Sequence, residues 1–184
     1  MQSRILTVGR LVPRKGQSYL IEAVSRLVAE NFDIKLTIIG IGPEKENLLA
    51  LGKGLDLEIL SDVPEAEVNK AYQEADIFVL PSITDDQGEK EGLGMVLFEA
   101  INFRLPVVAF ANGGIREVIV DGETGILLPE RDVDGLVAAI KKLITDNQFR
   151  TELIERAYTL IKERFSTETF VKQQVEVYES ILGR

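Results

Sequence analysis

The chain contains no cysteine and no histidine. Without cysteine it can form neither disulfides nor thiolate metal sites, a composition that suits the cytoplasm. Without histidine it lacks the commonest general base and the usual zinc ligand. It also has no run of about 18 apolar residues, and its first residues lack the apolar region of a signal peptide. We therefore expect a cytoplasmic domain that does not insert into a membrane.

Basic residues are in the minority, with 21 lysines and arginines against 30 acidic residues and a net charge of -9. This balance argues against general nucleic-acid binding and against a basic membrane-surface patch, so that any phosphate site must be local. The composition, 45% hydrophobic with six prolines, is that of a folded protein. A chain of this length favours a single domain, residues 1–184.

Short apolar runs alternate with segments of helical periodicity along the whole chain. The runs predict strands at about 5–8, 34–39, 57–60, 76–80, 106–110 and 125–128. The periodic segments predict helices at about 20–28, from 44, from 64, and at 94–102, 115–120, 132–145, 148–164 and 167–182. Such alternation predicts a Rossmann-like α/β fold, a doubly wound parallel sheet of about six strands with helices on both faces.

Ligands of open parallel sheets bind at the carboxyl ends of the strands. After the first strand come Gly9, Arg10 and, five residues further, Lys15. A guanidinium and an ammonium that converge over this edge would suit a diphosphate, and the alternative is that both are solvated loop charges. After the second strand, Gly40-Ile41-Gly42-Pro43 is either a turn that meets a ligand through its backbone or a purely structural turn. It does not complete a dinucleotide fingerprint, since Lys45 stands where the third glycine belongs.

A long acidic loop after the fourth strand leads to Glu91, Gly92 and Gly94 and then to a helix that carries Glu99. The helix looks apolar on every side, so we expect Glu99 to be buried and to have a partner. Its carboxylate could bind vicinal sugar hydroxyls, or nearby backbone amides could satisfy it. The glycines would present the amides of residues 93–96 to a ligand.

Two acidic clusters could suggest a metal site. They are the loop acids Asp85, Asp86 and Glu89 and the pair Asp132 and Asp134. The loop acids are interpreted as solvated charges, and the pair as the start of a helix, where acids face the positive end of the helix dipole. We therefore predict no metal.

Seven ordered motifs resemble one known family. They are Gly9-Arg10-Leu11 with Lys15-Gly16, Ile39-Gly40 with Gly42-Pro43, Ala75-Asp76-Ile77-Phe78-Val79-Leu80-Pro81-Ser82, Glu91-Gly92-Leu93-Gly94 with Glu99-Ala100, Pro106-Val107-Val108-Ala109, Gly113-Gly114 with Glu117-Val118, and Gly122-Glu123-Thr124-Gly125. Over residues 4–170 the chain resembles the carboxy-terminal half of retaining GT-B glycosyltransferases of the glycosyltransferase 4 type. The long loop from Ile83 to Lys90 is similar to that of exopolysaccharide and colanic-acid members.

This resemblance implies a domain that binds a nucleoside diphosphate sugar, the donor of a hexose, without a metal or another cofactor. Arg10, Lys15 and Glu91 are implied to be the catalytic residues: the two cations would stabilise the departing diphosphate, and Glu91 would contact the donor sugar. Glu99 would bind the ribose. The implied donor-binding set is Gly9, Gly42, Ser61, Val63, Glu91, Gly92, Leu93, Gly94, Met95, Val96 and Glu99.

The resemblance also implies a missing amino-terminal half, which would hold the glycan or lipid-linked acceptor, so that the chain alone would be inactive. The full enzyme would be cytoplasmic, with peripheral contact at the inner face of the membrane left open. The terminal helix, residues 166–184, either crosses to that half or docks on its own sheet. Two other functions stay open, a non-catalytic nucleotide-sugar module and a nucleotide-dependent oxidoreductase domain. The nucleobase, the sugar, the acceptor and the oligomeric state stay open as well.

Overall fold

A computed structural model describes residues 2–166 together with residues 169, 171, 174, 175, 178 and 179. One six-stranded sheet has the order β3-β2-β1-β4-β5-β6, and every neighbouring pair is parallel. The strands are β1 (Ser3–Val8), β2 (Ile34–Ile39), β3 (Asp56–Leu60), β4 (Ile77–Leu80), β5 (Val107–Phe110) and β6 (Ile126–Leu128). The sequence order reverses between β1 and β4, so the predicted doubly wound sheet is confirmed.

The described residues include seven α-helices. They are α1 (Gln17–Ala29), α2 (Lys45–Leu51), α3 (Glu65–Glu74), α4 (Met95–Asn102), α5 (Ile115–Val118), α6 (Val133–Thr145) and α7 (Asn147–Arg164). Asp132 caps α6 by accepting a hydrogen bond from the Gly135 amide at 2.8 Å, as its position before an apolar helix predicted. A short 3-10 helix, Pro13–Lys15, precedes α1 and was not predicted.

Helices cover both faces of the sheet and divide its core in two. Side chains of α1 and α6 pack over one face with the inward residues of β1 and β2, and Leu48 of α2 joins them. The other face is covered by α3, α4 and α5. Helix α7 contributes Leu153 to the first cluster and Ala157 and Ile161 to the second. The central strands β4 and β5 are buried along their whole length, as expected for a sheet between two helical layers.

The helical cover is incomplete over β2 and β3. Lys35, Thr37 and Glu58 line a groove of about 410 Å³ beside α3. Lys35 pairs with Glu58 at 2.8 Å across the two strands, which keeps both charges hydrated and paired on the open face. Lys35 and Thr37 of β2 alternate with the buried Ile34, Leu36 and Ile38, because the two polar side chains face this groove.

The predicted helix at 167–182 lies largely outside the described residues. The positions that are described in this stretch are helical. Val171, Val175 and Tyr178 of its apolar stripe are exposed, whereas Phe170, Ile181 and Leu182 lie outside the described residues. Among the described helices, none combines the length and the apolar character that crossing a bilayer requires.

Candidate functional site

The loop after β1 and the loop after β4 lie directly against each other at the carboxyl edge of the sheet. Gly16 has a φ of +66°, and a Cβ on it would stand 1.9 Å from the Pro81 carbonyl oxygen, so only glycine fits. The Ile83 amide donates to the Arg14 carbonyl at 2.8 Å. These contacts bring Lys15 and Arg14 of the first loop close to Glu91 of the second.

Lys15 and Glu91 form a nearly buried ion pair at this junction. The Lys15 Nζ atom lies 2.5 Å from Glu91 Oε2, and the two side chains are 13% and 11% exposed. The Ser82 hydroxyl donates to the same oxygen at 2.8 Å. Burial tends to raise the pKa of Glu91, but Lys15, Ser82 and the nearby charge of Arg14 outweigh it and hold that pKa below its ordinary value. The carboxylate is therefore ionised and fixed in place.

The backbone of Glu91 is clamped by the loop after β5. Its amide donates to Asn112 Oδ1 at 2.6 Å, and its carbonyl accepts from the Gly114 amide at 3.2 Å. Gly113 has a φ of +51°, and a Cβ there would lie 2.0 Å from the Glu91 carbonyl oxygen. The loops after β1, β4 and β5 thus meet at one edge of the sheet.

A second carboxylate, Glu130, stands behind Glu91 and was not predicted. It accepts from the Thr84 amide at 2.7 Å, from the Thr84 hydroxyl at 2.8 Å and from Asn112 Nδ2 at 2.7 Å. Burial tends to raise its pKa, but the hydrogen bonds from Thr84 and Asn112 outweigh it and hold the pKa below its ordinary value. Thr84 and Glu130 are 46 residues apart, so no local spacing signalled the contact.

Arg10 lies on the other side of the first loop and is exposed. It lines a pocket of about 360 Å³ together with Gly9, Asp62, Val63 and residues of the β2 end. The buried Gln17 side chain donates to the Arg10 carbonyl at 3.0 Å and so anchors this loop. Arg10 and Lys15 therefore occupy one edge, but the ammonium of Lys15 is directed to Glu91.

Gly9 and Val63 line this pocket, whereas Gly42 and Ser61 do not. A Cβ on Gly42 would lie 2.2 Å from the Leu11 carbonyl oxygen, so this glycine serves the packing of two loops. Gly40 is constrained in the same way, since a Cβ on it would lie 1.8 Å from the Gly9 carbonyl oxygen. These contacts show that the turn has a structural role, and Gly40 and Ile41 also line the pocket. Within the described part of the chain, the buried Ser61 Oγ has no hydrogen-bond partner.

Helix α4 begins within one residue of the position predicted from the sequence. Gly94 precedes the helix with a φ of +68°, and Leu93 and Met95 are 41% and 65% exposed. The first amides of a helix have no partner within it, so the amides near Val96 are available to a ligand. Gly92 is exposed, and a Cβ on it would meet no other atom within 4 Å.

The expectation that Glu99 is buried in an apolar helix is wrong. Only Leu97, Ala100 and Ile101 of α4 are buried, because the short helix packs on the sheet with one side. Glu99 is exposed, and its Oε2 accepts a hydrogen bond from the Tyr72 hydroxyl at 2.8 Å. Its partner is thus a tyrosine side chain and not a backbone amide. The structure places no Glu99 contact to the Lys15–Glu91 pair among the described residues.

The acidic residues of the loop after β4 bond within the loop or face solvent. Asp85 Oδ1 accepts from the amides of Gln87 and Glu89, which makes a local turn, and Asp86 is exposed. Among the described residues, no three acidic side chains lie close enough together to ligate a metal ion.

The curated proteins that this chain resembles include glycosyltransferases of polysaccharide biosynthesis. The chain is 31% identical over 186 residues to the putative colanic acid biosynthesis glycosyltransferase WcaL of Salmonella typhimurium, covering 98% of the chain and 46% of WcaL. It is 32% identical over 182 residues to the amylovoran biosynthesis glycosyltransferase AmsK of Erwinia amylovora, covering 97% and 45%. The chain spans about half the length of these curated relatives.

Solved structures share the fold. HepE of Anabaena in complex with UDP superimposes with a TM-score of 0.81 at 24% identity, covering 97% of this chain and 49% of HepE. The C-terminal domain of LpcC from Francisella tularensis gives a TM-score of 0.77 at 24% identity, with coverage of 90% and 87%. The fold is thus that of GT-B glycosyltransferase structures. The family model described as glycosyl transferases group 1 matches residues 1–160, and the chain belongs to this family.

Proposed function

We propose that this chain is the donor-binding domain of a retaining glycosyltransferase of the family 4 type. The full enzyme would transfer a hexose from a nucleoside diphosphate sugar to a glycan or lipid-linked acceptor, without a metal. The observation that carries the proposal is the buried Lys15–Glu91 pair just before the start of α4, in a chain of the group 1 glycosyl transferase family. Arg10 lines a pocket at the end of β1, on the same edge of the sheet.

Arg10 and Lys15 would hold the diphosphate. An ammonium carries three N–H donors, and the bond to Glu91 uses one of them, so Lys15 can bind phosphate oxygens without leaving Glu91. Arg10 is exposed beside the pocket and free to turn its planar fork towards a phosphate. Together the two cations would offset the negative charge that gathers on the leaving diphosphate.

Glu91 and the start of α4 would hold the sugar. The ionised Glu91 carboxylate can accept hydrogen bonds from hydroxyls, and the backbone amides of residues 93–96 can donate to the sugar and to phosphate. Glu99 would bind the ribose with its carboxylate, which Tyr72 orients through one oxygen. The base would occupy the pocket lined by Gly9 and Val63.

The names of relatives support the choice of ligands. Anabaena HepE has been crystallised with UDP-glucose. A Mycolicibacterium smegmatis relative, 36% identical over 147 residues, is named a GDP-mannose-dependent phosphatidylinositol monomannoside mannosyltransferase. Hexose donors and polysaccharide or lipid acceptors are therefore the substrate classes to test for this chain.

Calorimetry of the chain with UDP, GDP and ADP, with their hexose derivatives and with NAD tests the proposal. We expect one nucleoside diphosphate to bind and NAD not to bind. Arg10→Ala should weaken that binding by about ten- to a hundred-fold, the loss of one charge-assisted contact. The control is Arg156→Ala, which removes an exposed arginine from α7. Equal affinity of Arg10→Ala and the control would refute the role of Arg10, and tighter binding of NAD would favour the oxidoreductase alternative.

A further inference from the structure

Three side chains from three strand ends form a connected cluster behind Glu91. We call it the Thr84–Asn112–Glu130 cluster. Thr84 follows β4, Asn112 follows β5, and Glu130 follows β6. Asn112 is 1% exposed and contacts both of the others, since its Nδ2 atom lies 2.7 Å from Glu130 Oε1 and 3.0 Å from Thr84 Oγ1.

The cluster ties together the two ends of the long loop. Thr84 lies near the beginning of the loop and is held by Glu130 through its amide and its hydroxyl. Glu91 ends the loop, and its amide donates to Asn112 Oδ1 at 2.6 Å. Arg131 adds a bond from its Nη2 to the Thr84 carbonyl at 3.1 Å. Both ends of the loop are thus fixed to one buried amide and one carboxylate.

Glu130 also determines which way the Asn112 amide faces. A carboxylate only accepts hydrogen bonds, so the NH₂ group of Asn112 must turn towards Glu130. The carbonyl oxygen must then turn towards the Glu91 amide, as observed. If the amide were reversed, an NH₂ group would face an N–H group and an oxygen would face a carboxylate. The acceptor oxygen of Glu130 that faces Asn112 therefore favours the one orientation that holds Glu91.

We propose that Glu130 is a positioning residue that acts through Asn112 and Thr84 to hold the Glu91 carboxylate against Lys15 and Ser82. In the proposed function Glu91 contacts the donor sugar, so Glu130 would control how tightly the sugar is held without touching it. This last step rests on the proposed function. The link from Glu130 to Glu91 does not.

The link is tested by titrating the Glu91 carboxyl carbon by NMR in the ¹³C-labelled chain, with Glu91→Gln to assign the signal. Lys15, Arg14 and Ser82 face this carboxyl group, and together they lower its pKa. Removing the negative charge of Glu130 can only lower the pKa of Glu91 further by electrostatics. Release of the Glu91 carboxylate from Lys15 and Ser82 would instead raise the pKa of Glu91. The direction of the change thus separates positioning from a simple charge effect.

We expect the pKa of Glu91 to rise in Glu130→Ala and to stay low in Glu130→Gln, which loses the charge but retains an acceptor oxygen. Glu30→Ala is the control, because Glu30 is a glutamate whose side chain also has a partner, Lys141, but it lies at the end of α1. An unchanged or lowered pKa of Glu91 in folded Glu130→Ala would overturn the proposal. Should that variant not fold, Thr84→Val removes the hydroxyl that joins Asn112 and Glu130. The pKa of Glu91 should then rise by a smaller amount, because Asn112 keeps its direct bond to Glu130, and no rise would overturn the proposal.

A binding experiment then tests the last step. In Glu130→Ala, affinity for the nucleoside diphosphate sugar should fall about ten-fold, while affinity for the nucleoside diphosphate alone stays within about two-fold. Equal losses for both ligands would contradict a role at the sugar. If the unaltered chain binds neither ligand, the proposed function fails, and the titration still decides whether Glu130 positions Glu91.

Discussion

Replacing Lys15 by methionine should destabilise the chain and reverse the effect of Glu91 on stability. The substitution keeps the length of the side chain and removes the charge, which leaves Glu91 only 11% exposed and without its ammonium partner. Removing one partner of a buried ion pair lowers the free energy of unfolding by about 3 to 5 kcal/mol. Because Ser82 still donates to Glu91 and Arg14 is nearby, we expect the lower end, about 3 kcal/mol at neutral pH.

The loss depends on pH in a defined direction. In the unaltered chain the pKa of Glu91 lies below its ordinary value of 4.5. The contribution of Glu91 to the free energy of unfolding is therefore complete above that pH and is lost as the pH falls. In Lys15→Met the burial is no longer offset by the ammonium, so the pKa of Glu91 should exceed the unfolded value. Its effect on stability is then increasingly unfavourable as the pH rises above about 4.5.

Urea unfolding at several values between pH 4 and pH 8 measures both effects. The difference in the free energy of unfolding between the two chains should be largest near pH 8 and shrink towards pH 4. Lys141→Met is the control, since Lys141 and Glu30 form an exposed pair and should contribute less than about 1 kcal/mol. Lys15→Met combined with Glu91→Gln should recover most of the lost stability. A Lys15→Met chain as stable as the unaltered one at pH 8 would refute the argument that the pair is buried and charged.

Three further predictions concern the backbone and a buried tyrosine. Gly113→Ala should cost more than about 2 kcal/mol in urea unfolding, because the Cβ meets the Glu91 carbonyl, whereas Gly88→Ala, with a φ of +79° and open space around it, should cost only about 1 kcal/mol. Arg104→Gly should be about 1 kcal/mol more stable than Arg104→Ala, because Arg104 has a φ of +60°, which glycine adopts with less strain than alanine. Both variants lose the contacts to Glu155 and Tyr158, so equal stabilities would contradict this reason. Burial and the Glu99 carboxylate raise the pKa of Tyr72 above its ordinary value, so Tyr72 should stay un-ionised in an ultraviolet titration until the chain unfolds in alkali. If all four tyrosines titrate together in the folded chain, this prediction is wrong.

The architecture was predictable because its signals are local. Apolar runs and helical periodicity placed every strand to within about two residues, and proline and acids located the start of α3. Asp132 was recognised as a helix cap for the same reason. The short 3-10 helix at 13–15 was missed, because three residues carry no periodicity.

The site was only partly predictable. Glycines and charges after the first strand indicated Arg10 and Lys15 as candidates, since parallel strands end at one edge. The role of Glu91 came from the family resemblance. Glu130 could not be found in this way, because its bonds cross between loops and depend on the packed sheet. Glu99 was misplaced because apolar composition alone does not show which side of a short helix meets the core.

The exposed acids between Ile83 and Lys90 also affect how an anionic donor would reach the edge that Arg10 and Lys15 occupy. Salt screens attraction and repulsion alike beyond about one Debye length, ~8 Å at physiological ionic strength. Because the chain has a net charge of -9, an approaching anion meets repulsion over most of the surface and attraction only close to the two cations. Added salt would therefore speed the first encounter, the reverse of steered association. Selective capture would depend on how slowly the donor leaves and not on how fast it arrives.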